Sequence, residues 1–379
     1  MFDAVGVRLN LLMGIGAPTP PPPSVMEALD NVEVAISDQE PSGFSMTFKL
    51  GRSNAMAGEL PLLSHPAMQA GSRVVITGIL GVRPRVLMDG IVEDAKSEPG
   101  EGSEGGSLTL MGRDLTALFD QKEVVEEFPG MAPGDIAQAI IARYVSHGII
   151  PDVRPPLAAD RDAPAQRTPT QRGTDLAYLK QLAKDFDHVF VVDPGPTPLT
   201  ARAYWGPPPR SGTVQSAITV DMGPESNATG LSFENTPSQA ASVEGEVLDR
   251  QTGQSVPVTS AAPTRPPLSA SPSLLNPLTS STRILRPQPG QSATQAMAQA
   301  AAQSGQTSDT VKVTGELDLG RYGRVLEPRK LVGLRGAGFQ NDGFYYVRDV
   351  VHAITRGKWT QSFTLVRDGL GTTTPTVRP

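Results

Sequence analysis

Four histidines are the side chains best suited to bind a metal or move a proton, and their spacing supports neither role. They lie far apart, at His65, His147, His188 and His352. None forms an HxxxH or HxH pair beside a carboxylate, the spacing that brings ligands to one metal ion. Cysteine is absent, which removes thiolate nucleophiles, disulfides and Cys-ligated metal centres. We therefore predict no metal site.

Ser45 and two pairs of carboxylates are the remaining candidates for catalysis. The segment Gly43–Thr47 resembles a nucleophile elbow, but it lacks the closing glycine and lies in a pattern typical of a strand. The pairs Glu93-Asp94 and Glu126-Glu127 are adjacent residues, and adjacent residues on a strand point to opposite faces, so a glycosidase pair is not favoured. We predict no catalytic residue and no enzymatic activity.

A glycine-rich stretch and four aromatic residues are the candidates for ligand binding. The stretch Gly333–Gly338 leads into a predicted hairpin, so it presents no helix N-terminus to a phosphate. Trp205, Tyr345, Tyr346 and Trp359 could form a ligand face. However, aromatic and polar residues alternate after Trp359, as in a half-buried strand, which favours a core role. No cofactor and no cofactor-binding residue are predicted.

The composition favours strands and turns over helices. Gly and Pro number 38 and 36 of 379 residues, whereas charged residues are only 19% of the chain. Such a length predicts two or three domains, each with its own core.

Charge and hydropathy limit the partners. The net charge is −6 and aromatic residues are 5% of the chain, which do not favour nucleic-acid binding. No run of 18 apolar residues occurs, and the first residues lack a basic segment followed by an apolar one. We expect no membrane insertion, no signal peptide and assembly in the cytoplasm.

Residues 1–120 are predicted to form a first β domain, an antiparallel barrel or sandwich. Short runs that are β-branched or alternate between apolar and polar residues are separated by Gly or Pro. The predicted strands are Val5–Met13, Asn31–Ile36, Gly43–Leu50, Arg73–Thr77, Arg85–Val92 and Ser107–Leu110.

Residues 121–215 are predicted to form a mixed α+β domain. One helix is predicted after a cap at Asp135 and a second after a cap at Thr174, each with one apolar stripe. The second helix leads into a strand at His188–Asp193, and Ala201–Trp205 is its predicted hairpin partner.

Residues 216–256 and 305–370 are predicted to form a second β domain. Its strands include Lys330–Gly338, Phe344–Ile354 and Lys358–Val366, joined by turns at Asn341–Gly343 and Arg356-Gly357. Residues 257–304 are predicted to be an exposed Pro/Ser-rich loop, mainly 257–289, and a short helix near Gln291–Gln303. Residues 371–379 are predicted to be a flexible tail.

The two β regions resemble each other. Each contains a Gly-ended strand followed by a hairpin that closes in a Ser-apolar-Thr-Leu sequence. The aligned segments are Ser107–Leu115 with Ser362–Leu370, Gly90–Asp94 with Asp349–Ala353, and Arg73–Gly78 with Lys330–Gly336. Chance similarity of short strands is the alternative. A true repeat would let an oligomer of n chains present 2n similar units around one axis.

Three segments resemble the baseplate hub proteins of contractile tails and contractile injection systems. This family includes phage late control protein D, the N-terminal part of VgrG spikes and the hubs of extracellular injection particles. The segments are Leu108–Asp120, Gly173–Asp193 and Gly343–Arg367. The Thr-Asp-Leu-x-Tyr-Leu sequence in the second segment is the most specific part.

The resemblance implies a mainly β chain in which two related tube-like β-barrel domains flank the α+β middle domain. It further implies a homotrimer whose six barrels form a pseudo-sixfold ring around a central channel. Such a ring would join the hexameric inner tube, or a tube initiator, to a trimeric spike and would contact other baseplate proteins. Because no β-helix follows within this sequence, the spike is expected to be a separate chain.

Three alternatives remain at this point: a tail-associated cell-wall hydrolase, another tail-tube or distal-tail component, and a ligand-binding β module.

Overall fold

β-Strands predominate in the chain, as the short alternating segments predict. A computed structural model describes residues 6–50, 65–98, 106–156, 168–249, 252–260, 265–287, 290–374 and 377. Twelve of the strands form one large, mostly antiparallel sheet, and ten more form four small sheets.

The N-terminal half of the large sheet contains six antiparallel strands. Their spatial order is β1-β4-β5-β6-β3-β2. Residues on one face are buried, as the alternation in β1 illustrates, and pack with β2 and β3 into an aliphatic core. The elements are β1 Val7–Gly14, α1 Pro23–Ala28, β2 Leu29–Ile36, β3 Gly43–Lys49, β4 Arg73–Leu80, β5 Arg83–Glu98 and β6 Ser107–Asp114.

The middle region packs helices on two small sheets around a second core. Trp205 lies at its centre, where its indole Nε1 donates to the Leu179 carbonyl at 3.2 Å. The hairpin predicted after the second helix is confirmed, since β10 and β11 pair antiparallel. The elements are α2 Thr116–Phe119, β7 Glu123–Glu127, α3 Pro133–Ala142, β8 Ile149–Val153, β9 Thr170–Thr174, α4 Asp175–Lys184, β10 Val189–Pro194 and β11 Ala201–Gly206.

The two predicted helix caps have different outcomes. Thr174 caps α4 as predicted, because its hydroxyl accepts a hydrogen bond from the Ala177 amide at 3.2 Å. Asp135 does not cap α3. That helix begins at Pro133, whose fixed φ suits a first turn, so Asp135 lies inside the first turn.

The C-terminal half of the large sheet again contains six strands. Their spatial order is β12-β19-β20-β21-β18-β13. Numbered from one to six along the chain, both halves therefore have the order 1-4-5-6-3-2. They differ at one edge, where β12 pairs with β19 in parallel but β1 pairs with β4 antiparallel. The elements are β12 Gln215–Thr219, β13 Ala228–Asn235, β18 Val311–Asp318, α6 Leu319–Tyr322, β19 Leu331–Arg335, β20 Gly343–Thr355 and β21 Lys358–Arg367.

The described part of the segment 257–289 is mostly exposed, as predicted, but it contains short strands rather than a loop alone. One belongs to a local hairpin, and two pair with strands that are distant in sequence, which local composition does not encode. The elements are β14 Ala241–Leu248, β15 Ser255–Thr259, β16 Ser269–Pro272, β17 Ser281–Ile284, α5 Ala293–Gln306 and β22 Gly369–Thr372.

The helix predicted near 291–303 is confirmed as α5. Ser292 and Gln295 form a capping box at its start, and the helix packs on β14 and β15 in a small core of its own. The tail predicted from residue 371 begins inside β22, which pairs with β16.

Candidate functional site

The four histidines are on separate elements; His352 is buried, His188 is half-buried, and both are neutral. Burial lowers the pKa of His352 to about 3 and that of His188 to about 4. Trp359 Nε1 donates to His352 Nδ1 at 3.2 Å, so this imidazole is a hydrogen-bond acceptor within the core. No cluster of three or more His, Asp or Glu side chains suited to a metal occurs among the described residues.

The candidate catalytic residues have structural partners. Ser45 lies inside strand β3, as predicted. Glu93 accepts a hydrogen bond from Arg113 Nε at 2.7 Å, and Glu126 pairs with Arg143 at 2.6 Å. These carboxylates are therefore bound in ion pairs on a protein surface.

The glycine-rich stretch and the aromatic residues form neither a phosphate loop nor a ligand face. Gly333 lies in β19, and the chain turns after it into β20, as predicted for a hairpin. At Gly336, with φ of +90°, a Cβ would lie 1.9 Å from the Val220 carbonyl oxygen, which explains why glycine is needed there. The aromatic side chains are buried in the cores, as predicted: Trp205, Tyr345, Tyr346 and Trp359.

A buried ion network joins the two halves of the sheet to the middle region. Arg329, just before β19, donates to the Asp193 carboxylate of β10 and, at 3.2 Å, to the carbonyl of Ser37, just after β2. Burial opposes the positive charge, but the adjacent Asp193 carboxylate outweighs this and raises the pKa of Arg329 above its usual value. One side chain thus connects three parts of the fold.

A second group of buried charges extends this network. Arg265 binds Asp187 Oδ1 at 2.6 Å and Asp309 Oδ2 at 2.8 Å. Burial of Asp309 would raise its pKa, but Arg210 and Arg265 offset this and the pKa is lowered. Sequence reasoning missed these residues because isolated charges in irregular segments carry no periodic signal.

Two open strand edges are exposed surfaces to which a partner could add a strand. Residues 93–98 of β5 are all exposed, and no described strand pairs with them on the side facing β4. Strand β13 forms the last strand of the sheet and is exposed over most of its length, with Phe233 38% exposed. An open, exposed edge is a template for pairing with another chain.

Comparisons with known proteins identify the fold. No family model matches the sequence, and no curated protein matches it. Among solved structures, a tail protein from Neisseria meningitidis MC58 is similar with a TM-score of 0.61 and 13% identity, covering 96% of this chain and 98% of that one. The 43 kDa tail protein of prophage MuSo2 from Shewanella oneidensis has a TM-score of 0.61 and 12% identity, covering 95% and 98%.

A third similar structure comes from a secretion system. It is an E. coli component of the type VI secretion system, described as structurally similar to the bacteriophage T4 tail proteins gp27 and gp5. Its TM-score is 0.52 at 11% identity, covering 93% of this chain and 77% of that one. The chain therefore has the fold of phage tail and type VI secretion proteins, and the resemblance drawn from the sequence is confirmed at the level of fold.

No helix among the described residues is long and apolar enough to cross a membrane.

Proposed function

We propose that this protein is the baseplate hub of a contractile phage tail or contractile injection system. Three copies form a ring, which joins a hexameric inner tube to a trimeric spike around a central channel. The two halves of the large sheet, within residues 1–120 and within 216–256 and 305–370, are the tube-like units. The protein has no enzymatic activity in this role and assembles in the cytoplasm before it enters the particle.

The repeated strand order carries this proposal. Both halves of the sheet have the order 1-4-5-6-3-2, so each chain supplies two similar units. Three chains then present six units around one axis, which matches a sixfold partner on one side and a threefold partner on the other. A single unit per chain would not provide this change of symmetry.

The buried ion network supports the proposal because such a ring needs a fixed angle between its units. Arg329 joins β10 to the segments next to β2 and β19, and β2 itself pairs with β20 over six residues. These contacts hold the two units of one chain together before any partner binds.

The mass of the purified protein tests the trimer. We expect a particle of about 120 kDa, three times the 40.0 kDa of one chain, and co-purification with a co-expressed spike protein. A particle of 40 kDa in both samples would contradict the proposal. Lysis of purified cell walls would favour the hydrolase alternative.

A further inference from the structure

The two open edges are residues 93–98 of β5 and strand β13. Their equivalents in the other half of the sheet are β20 and β2, and these two strands pair with each other inside the chain. Strand β2 is the last strand of the N-terminal half, as β13 is of the C-terminal half. β2 pairs antiparallel with β20, from Asn31 opposite Thr355 to Ile36 opposite Val350. β20 corresponds to β5 in the repeated order. The β2–β20 pair is therefore a template for pairing β13 with β5.

Backbone hydrogen bonds fix which residues of β5 and β20 correspond. The Val92 carbonyl accepts from the Gly71 amide at 2.8 Å, and the Val347 carbonyl accepts from the Arg329 amide at 2.7 Å. Gly71 and Arg329 both have positive φ, at +87° and +58°. In both strands the next residue is a bulge, at Glu93 and Arg348. Val92 is thus equivalent to Val347.

The strand pairing corrects the alignments drawn from the sequence. Gly112 corresponds to Leu365, so the alignment of Ser107–Leu115 with Ser362–Leu370 is displaced by two residues. Arg73 corresponds to Leu331, so the alignment that starts at Arg73 and Lys330 is displaced by one. The offset between β5 and β20 is 255 residues, so Asp94 corresponds to Asp349. The alignment of Gly90–Asp94 with Asp349–Ala353 is displaced by four residues.

Residues that lie opposite one another on neighbouring strands form rows across the sheet, and these rows fix the correspondence between β2 and β13. In the N-terminal half the row that begins at Val92 continues through Gly112 and Phe44 to Val34. In the C-terminal half the row that begins at Val347 ends at Phe233, through the residues Leu365 and Val313. Val34 is therefore equivalent to Phe233.

The register of the β2–β20 pair, applied to β13 of one copy and β5 of another, predicts a specific contact between the two copies. Val34 pairs with His352, five residues after Val347, so Phe233 pairs with Ser97, five residues after Val92. The described residues then form four pairs: Ala95 with Asn235, Lys96 with Glu234, Ser97 with Phe233, and Glu98 with Ser232.

The side chains on these edges suit that register. Lys96 and Glu234 have opposite charges and would face each other directly, an arrangement that stabilises antiparallel strands. Phe233 is 38% exposed in the single chain, whereas its equivalent Val34 is fully buried beside β20. Pairing with β5 of another copy would bury Phe233 in the same way.

We propose that β13 of one copy adds antiparallel to residues 95–98 of β5 in the next copy, with Glu234 opposite Lys96, and that this contact closes the ring. The contact is head-to-tail, because each copy offers β13 to one neighbour and β5 to the other. This inference rests on the proposed trimer and specifies how its chains join.

Disulfide cross-linking tests the register in the 379-residue chain. The 379-residue sequence contains no cysteine, so the double variant K96C/E234C of this chain has only the two introduced thiols. Under mild oxidation we expect covalent dimers and trimers on a non-reducing gel. The matched control is K96C/S232C, in which the thiols lie on the same face two residues out of register, about 7–8 Å apart. We expect it to give at least about fivefold less covalent trimer, because such a separation prevents a bridge.

The result separates the register from the trimer itself. If both variants are trimers by mass but K96C/E234C cross-links no better than the control, the proposed pairing is wrong while the hub proposal stands. If the unmodified protein is a monomer, both proposals fail.

Charge reversal provides a second test that needs no cysteine. E234K places two lysines opposite each other at each contact between copies. We expect it to raise the protein concentration at which half of the chains are assembled by about twofold or more. The double variant K96E/E234K restores opposite charges, and we expect it to recover assembly. Lys96 also forms an ion pair with Glu98 of its own strand at 2.6 Å, so a substitution of Lys96 alone would change two interactions. E234K is therefore the single variant to compare with the double variant. Failure of the double variant to assemble better than E234K would contradict the register.

Discussion

At the residue scale, the charges that hold this fold together are buried between its parts. Residue types and spacing correctly indicated that the aromatic residues, such as Trp205, lie in cores. They did not indicate that Arg329 would be buried against Asp193. Arg329 follows a proline in an irregular segment, and its partner lies 136 residues away. Only tertiary structure brings these residues together.

Loss of the Asp193 charge tests the ion network. D193N leaves the Arg329 guanidinium buried without its counter-ion, which we expect to lower the free energy of unfolding by about 3 kcal/mol. Urea denaturation followed by circular dichroism measures this change. D30N is the matched control, because the Asp30–Lys49 pair is largely exposed and its loss should cost less than about 1 kcal/mol. Equal effects of the two variants would show that the network does not stabilise the fold.

His352 makes stability depend on pH in a predictable direction. Its pKa is about 3 in the folded chain against about 6.5 when unfolded. Only the unfolded state therefore binds the proton between these values, and the stability that His352 contributes is lost as pH falls below about 6.5. The loss in the free energy of unfolding that H352Q causes, relative to the natural protein, should be smaller by roughly 2 kcal/mol at pH 4.5 than at pH 7.

Comparison of H352Q with the natural protein separates the titration of His352 from that of the other ionisable groups, which both proteins share. Burial raises the pKa of Asp114 to about 6, which acts in the opposite direction but is common to both proteins. Urea midpoints at the two pH values provide the measurement. A cost of H352Q that does not change with pH would contradict a neutral, buried imidazole.

At the element scale, local signals predicted the helices and hairpins best. The cap at Thr174 and the turn at Arg356-Gly357 were both predicted from residue type, because caps and tight turns need particular side chains or φ angles. The strands β16 and β17 were missed because each is four residues long and exists only through pairing with a strand distant in sequence. Their Pro- and Ser-rich sequence has no period-2 pattern to indicate them.

Substitution of Thr174 tests the start of α4. Its hydroxyl accepts from the Ala177 amide and donates to Asp120 Oδ1 at 2.9 Å, so T174A loses both bonds. We expect a loss of about 1 kcal/mol in the free energy of unfolding. T174S keeps the hydroxyl and should stay within about 0.5 kcal/mol of the natural protein. A T174A variant as stable as T174S would show that the cap contributes nothing.

At the scale of the whole molecule, the fold is two six-stranded units of the same strand order, joined by β2 and β20 and by the buried ion network. The sequence indicated the repeat through three pairs of short similar segments, but it placed them four, two and one residues out of register. Short apolar strand segments match one another at several offsets, so the correspondence became clear only from the pairing of the strands.

Single-particle imaging of the purified 379-residue chain, without imposed symmetry, tests the central claim most directly. We expect closed rings with an open centre and six similar lobes, in which three chains account for a mass of about 120 kDa. The density should show continuous sheet from β13 of one chain to β5 of the next. Compact particles of one chain, or rings whose lobes do not number six, would contradict the account.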